Sequence, residues 1–454
     1  MSMKKTFVLT PRAVRSENIL LGLGSDNTIA IPMDVMDVLY EVGNGYDEDA
    51  IRAKDVLDYI KTFPFKQLVS EEGVEQENGS RLRIVDGFYD VKIPGKGKRL
   101  KPYETRILQV CLGLKEQREE VVLISRNIPL RLRAESLGIH AEEFRDELLP
   151  ELNEQYKARM VLEIPKEKID YFRANRELSQ REVQAELEGK QLYENMFVFL
   201  KDGSQSIISC YREGKFHPLE YFSCKPFGVK PLNMGQNMMI EALMQPWEVA
   251  PLVIIKGSAG TAKTFLSLAC GLEQVIERRL YKEILYTRSV QEMDKEMGYL
   301  PGDESGKIGP YLRGLQDNLK NLTNASDSKK NGFQKDGFDI KEDGKYYLET
   351  GIIVPEAINY MRGRSIKDTF IIIDEAQNLT PLTVKSIVTR VGENTKIVLL
   401  GDPSQIDKRD LNVRNNGLSY ASEKMKGKLD CFQVTLTEKE SVRSPLAKLA
   451  SQVL

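Results

Sequence analysis

The chain has 454 residues, and at about 100–200 residues per domain that length predicts two to four domains, each able to bury a core. With 65 basic against 67 acidic side chains and a net charge of −2 it is no globally basic nucleic-acid binder, and no apolar run nears the ~20 residues of a membrane span. Five scattered cysteines without Cys-x-x-Cys spacing, two histidines and a short N-terminal apolar stretch argue against a disulfide framework, a zinc site and a signal peptide, so a cytoplasmic protein is expected.

Residues 1–150 read as a first domain. Short buried strands are predicted at 7–9, 28–31 and 121–124, the last after a charged helical run at 105–120. Strands alternating with helices predict a parallel α/β sheet. The basic stretch from Lys92 to Arg106 is broken by Pro94, Gly95, Gly97 and Pro102. It reads as a solvated loop, with a nucleic-acid contact as the alternative. Residues 151–228 change character. The segment 163–190 is strongly charged without a continuous apolar face, as in a surface helix or linker. Runs at 196–200 and 206–211 flank Asp202-Gly203 and read as a β-hairpin. This part is therefore a linker and small β module.

From 229 to 454 the chain is α/β again. Apolar runs at 252–255, 284–286, 370–373 and 396–400 have the length and continuous hydrophobicity of parallel strands buried on both faces. Between them Asn318 to Lys345 is polar and reads as a loop or mobile hairpin.

The chemistry lies at the ends of these strands. After 252–255 come Gly257, Ser258, Ala259, Gly260, Thr261, Ala262, Lys263 and Thr264, then an amphipathic helical stretch. A strand, a glycine-containing loop and a Lys-Thr pair opening a helix form a phosphate-binding arrangement, because loop amides and the helix N-terminus point at phosphate oxygens. Lys263 would reach the β- and γ-phosphates of a nucleotide, and the Thr264 hydroxyl would ligate Mg²⁺. The usual pattern has glycine at 262; if that position needs positive φ, alanine costs about 1 kcal/mol or more. The strand 370–373 ends in Asp374, placed to hold the Mg²⁺ shell, and Glu375, placed to orient and deprotonate water. The strand 396–400 ends in Gly401-Asp402-Pro403-Ser404-Gln405, where Gln405 would reach the γ-phosphate or the attacking water. Upstream, Asn233 and Gln236 offer either an amide that reads adenine's edge or a helix-capping segment. Arg443, then Arg362 and Arg364, are the cations available to stabilise transition-state charge.

In this order, Asn233-x-x-Gln236, the loop 257–264, Asp374-Glu375-Ala376-Gln377 and Gly401 to Gln405 resemble the ATPase core of PhoH-like proteins, which are related to superfamily 1 helicases. Tyr286-Thr287-Arg288, Gly298 to Asp303, Met361 to Ser365 and Asn416-Gly417-Leu418 match as well, so the resemblance covers essentially all of 229–454. The hairpin residues Gly203-Ser204-Gln205 resemble the segment before that core in two-domain members, whose N-terminal domain is a PIN domain, an RNase fold. The resemblance implies a RecA-like ATPase domain using ATP and Mg²⁺. It also implies ATP-dependent unwinding of RNA, single-stranded RNA being the partner, coupled to RNA cleavage.

Within the PIN resemblance, Thr10 stands where the family has a metal-binding Asp, Asp37 and Glu104 keep acids, and Asn127 replaces the last Asp. Two neutral oxygens hold Mg²⁺ or Mn²⁺ poorly, so a PIN fold without appreciable nuclease activity is expected, acting as an RNA-binding or regulatory platform. Residues 265–454 suffice for one of the two core domains of a superfamily 1 motor. The charge-stabilising arginine is then supplied by the same domain or by a neighbouring subunit. The resemblance favours a homo-oligomeric ring, a hexamer. An active PIN ribonuclease coupled to the ATPase, and a nucleotide-dependent protein switch or scaffold, stand as alternatives.

Overall fold

The computed structural model describes residues 4–16, 19–45, 48–94, 100–144, 149–203, 205–289, 313–323, 345–361, 365–408 and 411–442. The chain divides into two compact units, 1–148 and 149–454. Among the described residues no helix is long and apolar enough to cross a membrane.

The first unit holds one six-stranded sheet. Its strands are β1 (Lys5–Leu9), β2 (Thr28–Pro32), β3 (Val74–Glu75), β4 (Arg81–Val85), β5 (Glu120–Ile124) and β6 (His140–Glu142), in the order β3-β4-β2-β1-β5-β6. All neighbours are parallel except β3 and β4. Every residue of β2 is buried, which is why it reads in sequence as an unbroken apolar run. The three predicted strands are β1, β2 and β5. The expected helix is Pro102–Glu116; it starts at a proline, whose missing N–H costs nothing in the first turn. Strand β4 escapes pattern reading because Arg81 and Arg83 interrupt it. Arg83 is nevertheless buried, its Nη2 donating to both carboxylate oxygens of Glu119 at 2.6 and 2.7 Å. Of the basic stretch 92–106, residues 95–99 lie outside the described residues and those from Pro102 onward are helical.

The second unit holds two sheets. The smaller comprises β7 (Arg159–Glu163), β8 (Leu178–Ser179), β9 (Met196–Asp202), β10 (Gln205–Arg212) and β11 (Lys215–Pro218), ordered β7-β9-β10-β11-β8. Strands β9 and β10 are the predicted hairpin. The charged segment 163–190 is more than a surface linker: its helix Lys166–Asn175 buries Ile169 and Phe172 against Leu162, Leu178 and Phe216.

The larger sheet is wholly parallel. Strands β12 (Leu252–Gly257), β13 (Glu283–Arg288), β14 (Ile353–Pro355), β15 (Thr369–Asp374), β16 (Lys396–Gly401) and β17 (Cys431–Leu436) run in the order β14-β13-β15-β16-β12-β17. Strands β12, β15 and β16 are buried throughout and, with β13, are the four apolar runs of the sequence. Strand β17 is masked in sequence by Gln433 and Thr435, yet Gln433 is buried and paired with Ser422. Register pairs Ile255 with Leu400, Ile373 with Leu399 and Arg288 with Asp374. The carboxyl ends of β12, β13, β15 and β16 therefore reach one edge of the sheet together, where ligands bind in such folds. Of the polar stretch expected to loop, 318–323 ends a helix and 324–344 lies outside the described residues.

Candidate nucleotide site

The loop after β12 turns sharply enough to need left-handed backbone. Gly260 takes φ 82° and Ala262 φ 65° with ψ 28°, so the position where the common pattern has glycine does demand positive φ. Ala262 bears the steric cost, and its methyl packs on the apolar core. The helix Lys263–Leu272 starts directly after it, leaving its first N–H groups facing the loop. Lys263 Nζ donates to Gly257 O at 2.6 Å and Ser258 O at 3.1 Å, so the ammonium sits over the loop it serves. A cleft of about 930 Å³ borders Gly257 and Ser258 but lies on the side of Tyr156, Arg159, Asp402 and Lys439; Lys263, Thr264 and Asp374 do not line it. Beneath the loop, buried Lys256 donates to Tyr156 O at 2.7 Å and ties the smaller sheet's entry segment to β12. Burial lowers its pKa to about 8.

Across the sheet edge, Asp374 is 6% exposed. Its Oδ2 accepts from Thr264 Oγ1 at 2.9 Å and from Tyr286 OH at 2.9 Å, and its Oδ1 accepts from Glu375 N at 3.0 Å. Burial, then the charge of Asp374, pushes the Tyr286 phenol far above its ordinary range, so it remains a donor. The Thr264 hydroxyl and Asp374 carboxylate thus bring two hard oxygens together, the donor set that suits Mg²⁺ beside phosphates.

Glu375 follows in left-handed conformation, φ 55°. Its Oε1 accepts from Arg288 Nη2 at 3.1 Å and its Oε2 from Gln377 Nε2 at 2.7 Å. Gln377 also donates to Gln405 O at 2.8 Å and accepts from Asp402 N at 3.1 Å, joining two strand-end segments. The Gln405 side chain is exposed at the same edge. Sequence reasoning singled out Lys263, Thr264, Asp374, Glu375 and Gln405, and the fold brings them to that edge. It assigned no role to Tyr286, Arg288 or Gln377; Tyr286 and Arg288 lie in the last three residues of β13, and Gln377 in the turn that follows β15. Asn233 caps the helix Met234–Met244, its Oδ1 accepting from Gln236 N at 3.0 Å. Gln236 Oε1 accepts from Leu232 N at 2.7 Å, so the acceptor half of this amide serves the chain itself. Arg362, Arg364 and Arg443 lie outside the described residues.

In the first unit, Thr10 Oγ1 donates to Ile124 O at 3.1 Å. Glu104 accepts from Asn127 Nδ2 at 2.9 Å and from Lys101 N at 3.0 Å, while Asn127 Oδ1 caps the helix Ile128–Ser136 through Leu130 N at 3.3 Å. Asp37 is exposed on the helix Met33–Gly43, and Asp34 on the same helix is paired with Arg106 at 3.3 Å. The structure joins Glu104 to Asn127 through a direct bond. No group of three or more His, Cys, Asp or Glu side chains able to hold a metal occurs among the described residues.

Known proteins resemble this chain over both units. A family model described as PhoH-like protein matches residues 228–454, and one described as PIN domain matches residues 10–145. A protein PhoH2 of Bacillus subtilis (strain 168) is 34% identical over 463 residues, covering 100% of both chains. A protein PhoH2 of Thermobispora bispora is 28% identical over 452 residues, 99% of this chain and 96% of its own. A PhoH-like protein of Bacillus subtilis (strain 168) is 32% identical over 252 residues, 53% of this chain and 72% of its own.

Proposed function

The chain belongs to the PhoH2 family of two-domain PIN–PhoH proteins, and on that premise we propose that it is an ATP-hydrolysing motor acting on single-stranded RNA. The observation that carries this reading is the 2.9 Å contact between Thr264 and Asp374 beside a loop bearing Lys263. Lys263 and the loop amides bind the phosphates, Thr264 and Asp374 hold Mg²⁺, and Glu375 takes a proton from the attacking water. Gln405 senses the γ-phosphate. The metal, when bound, neutralises charge on the β- and γ-phosphates. Arg443, or else Arg362 or Arg364, supplies the cation for the transition state, and Gln236 with Asn233 frames the base end of the site.

ATP turnover by the full-length protein, with and without single-stranded RNA or DNA, tests the reading. Lys263→Ala is expected to abolish ATP binding. Glu375→Gln is expected to keep binding and lose turnover by at least ~10²-fold. Absence of nucleotide binding at millimolar ATP would remove the proposal. RNA stimulation should weaken as salt rises, because phosphate contacts release counterions.

The PIN domain, in this reading, binds RNA and cuts none. Thr10 and Asn127 bring neutral oxygens where a two-metal nuclease needs carboxylates, and Asn127 is already committed to a helix cap and to Glu104. Full-length protein with Mn²⁺ should leave mixed single-stranded RNAs intact. Cleavage that vanishes in Asp37→Asn would overturn this part.

A further inference from the structure

Strand β13 lies between β14 and β15, with Ile284, Leu285, Tyr286 and Thr287 all buried. A parallel strand buried on both faces is ordinarily filled with valine, isoleucine and leucine. Tyr286 departs from that. Its ring is 4% exposed and belongs to the core that holds Ile284, Phe370 and Ile372, and its hydroxyl, once buried, must find a partner. Register sets Tyr286 beside Ile372, and residues two apart on a strand share a face, so Tyr286 and Asp374 lie on one side of the sheet. The phenol donates to Asp374 Oδ2 at 2.9 Å.

A carboxylate offers about four acceptor sites, two on each oxygen. On Asp374, Tyr286 OH and Thr264 Oγ1 take two on Oδ2, and Glu375 N takes one on Oδ1. Thr264 spends its one hydroxyl proton in that bond and keeps its lone pairs for a metal. What stays open on Asp374 is therefore on Oδ1. The carboxylate is gripped from the start of the helix Lys263–Leu272 and from β13, two separate elements, which fixes its rotation. Mg²⁺ demands strict octahedral geometry with few carboxylate oxygens, whereas Ca²⁺ takes six to eight oxygens and accepts both oxygens of one carboxylate. We propose that Tyr286 is a positioning residue that sets the metal selectivity of this site. By occupying Oδ2 it presents Asp374 to the metal shell through Oδ1 alone, which suits Mg²⁺ and disfavours Ca²⁺. This rests on the reading of Thr264 and Asp374 as the pair that holds the metal.

The experiment titrates Mg²⁺ and, separately, Ca²⁺ into full-length wild type and Tyr286→Phe in the presence of a fluorescent non-hydrolysable ATP analogue. It reads the metal concentration at half-saturation of each complex, and analogue affinity without metal. Phenylalanine keeps the ring and removes only the donor. Partners that orient a metal ligand commonly change metal affinity by about 10–100-fold, so Tyr286→Phe is expected to need about tenfold more Mg²⁺. The Ca²⁺ requirement moves much less, and metal-free analogue affinity stays as in the wild type. Equal shifts for the two ions overturn the proposal and leave Tyr286 a packing residue of the site; an unshifted Mg²⁺ requirement overturns it too. If Tyr286→Phe fails to fold, Tyr286→His, which keeps a ring and an N–H, carries the test. There the Mg²⁺ requirement should rise more than that for Ca²⁺, and equal or absent shifts again overturn the proposal. A wild type that binds the analogue without dependence on either ion removes the metal reading of Thr264 and Asp374, and this proposal with it.

Discussion

Ala262 holds left-handed backbone at φ 65° immediately before Lys263, where glycine would sit without strain. Alanine in that region loses about 1 kcal/mol to contact between its Cβ and the following carbonyl. The loop tolerates this because the flanking helix and β12 determine its course, and because the methyl reaches the apolar core. Ala262→Gly is therefore expected to raise stability by up to about 1 kcal/mol while preserving nucleotide binding, as read from denaturant unfolding and analogue titration. Unchanged or lower stability would show that the lost packing of the methyl outweighs the relieved strain. The same residue-level logic explains the polar groups around Glu375: its donors are Arg288, which ends β13, and Gln377, three residues beyond the end of β15, both placed by backbone rather than by local sequence preference.

Elements of the larger sheet are held by polar residues as well as by the apolar core. Lys396 opens β16 and is fully buried, with its ammonium directed at Leu243 O at 3.0 Å and at Gln245 O, the end of the helix Met234–Met244. A cation at a helix C-terminus answers the partial negative charge there. Burial nevertheless brings its pKa down to about 7, with Cys270 and Glu248 opposing. In the unfolded chain lysine titrates near 10.4. Between about pH 7 and 10 the unfolded state binds the extra proton, so stability contributed at this site rises with pH across that window. From pH 7 to 9 the stability difference between wild type and Lys396→Met should accordingly move in favour of the wild type, read from paired thermal unfolding, while the buried cysteines, whose thiols burial pushes up, oppose the rise in both proteins. Buried Lys256, whose pKa is lowered to about 8, acts in the same direction in both proteins and cancels in the comparison.

At the scale of the whole molecule, the proposed mechanism draws phosphate loop, metal ligands and base from one domain and takes the charge-stabilising arginine from the same domain or, in a ring, from a neighbouring copy. Hydrolysis should then depend on protein concentration. Arg443→Ala is expected to slow turnover by about 10³-fold with ATP binding little changed, since such an arginine acts mainly on the transition state. Mixing Arg443→Ala subunits with Lys263→Ala subunits should restore part of the activity, because some interfaces then combine an intact loop with an intact arginine. A monomer with full specific activity at nanomolar concentration would dispose of the assembly.

Much of this protein was legible in its sequence because strands buried on both faces of a parallel sheet must be apolar throughout. Such runs at 252–255, 370–373 and 396–400 announce themselves, and the residues directly after them, Lys263 with Thr264, Asp374 with Glu375, and Gln405, inherit their place at the sheet edge. The hairpin 196–211 was legible for a related reason, since Asp202-Gly203 between two apolar runs leaves few other turns. Tertiary structure alone decided the rest. Strands β4 and β17 carry Arg83 and Gln433, whose partners, Glu119 and Ser422, come from other elements, so pattern alone hides them. Whether Ala262 needed positive φ depended on how β12 meets its helix. The contacts of Thr264 and Tyr286 with Asp374, and of Arg288 with Glu375, join residues about a hundred positions apart. They exist because register sets Arg288 opposite Asp374, and register is fixed by packing between strands, not by any one stretch of chain.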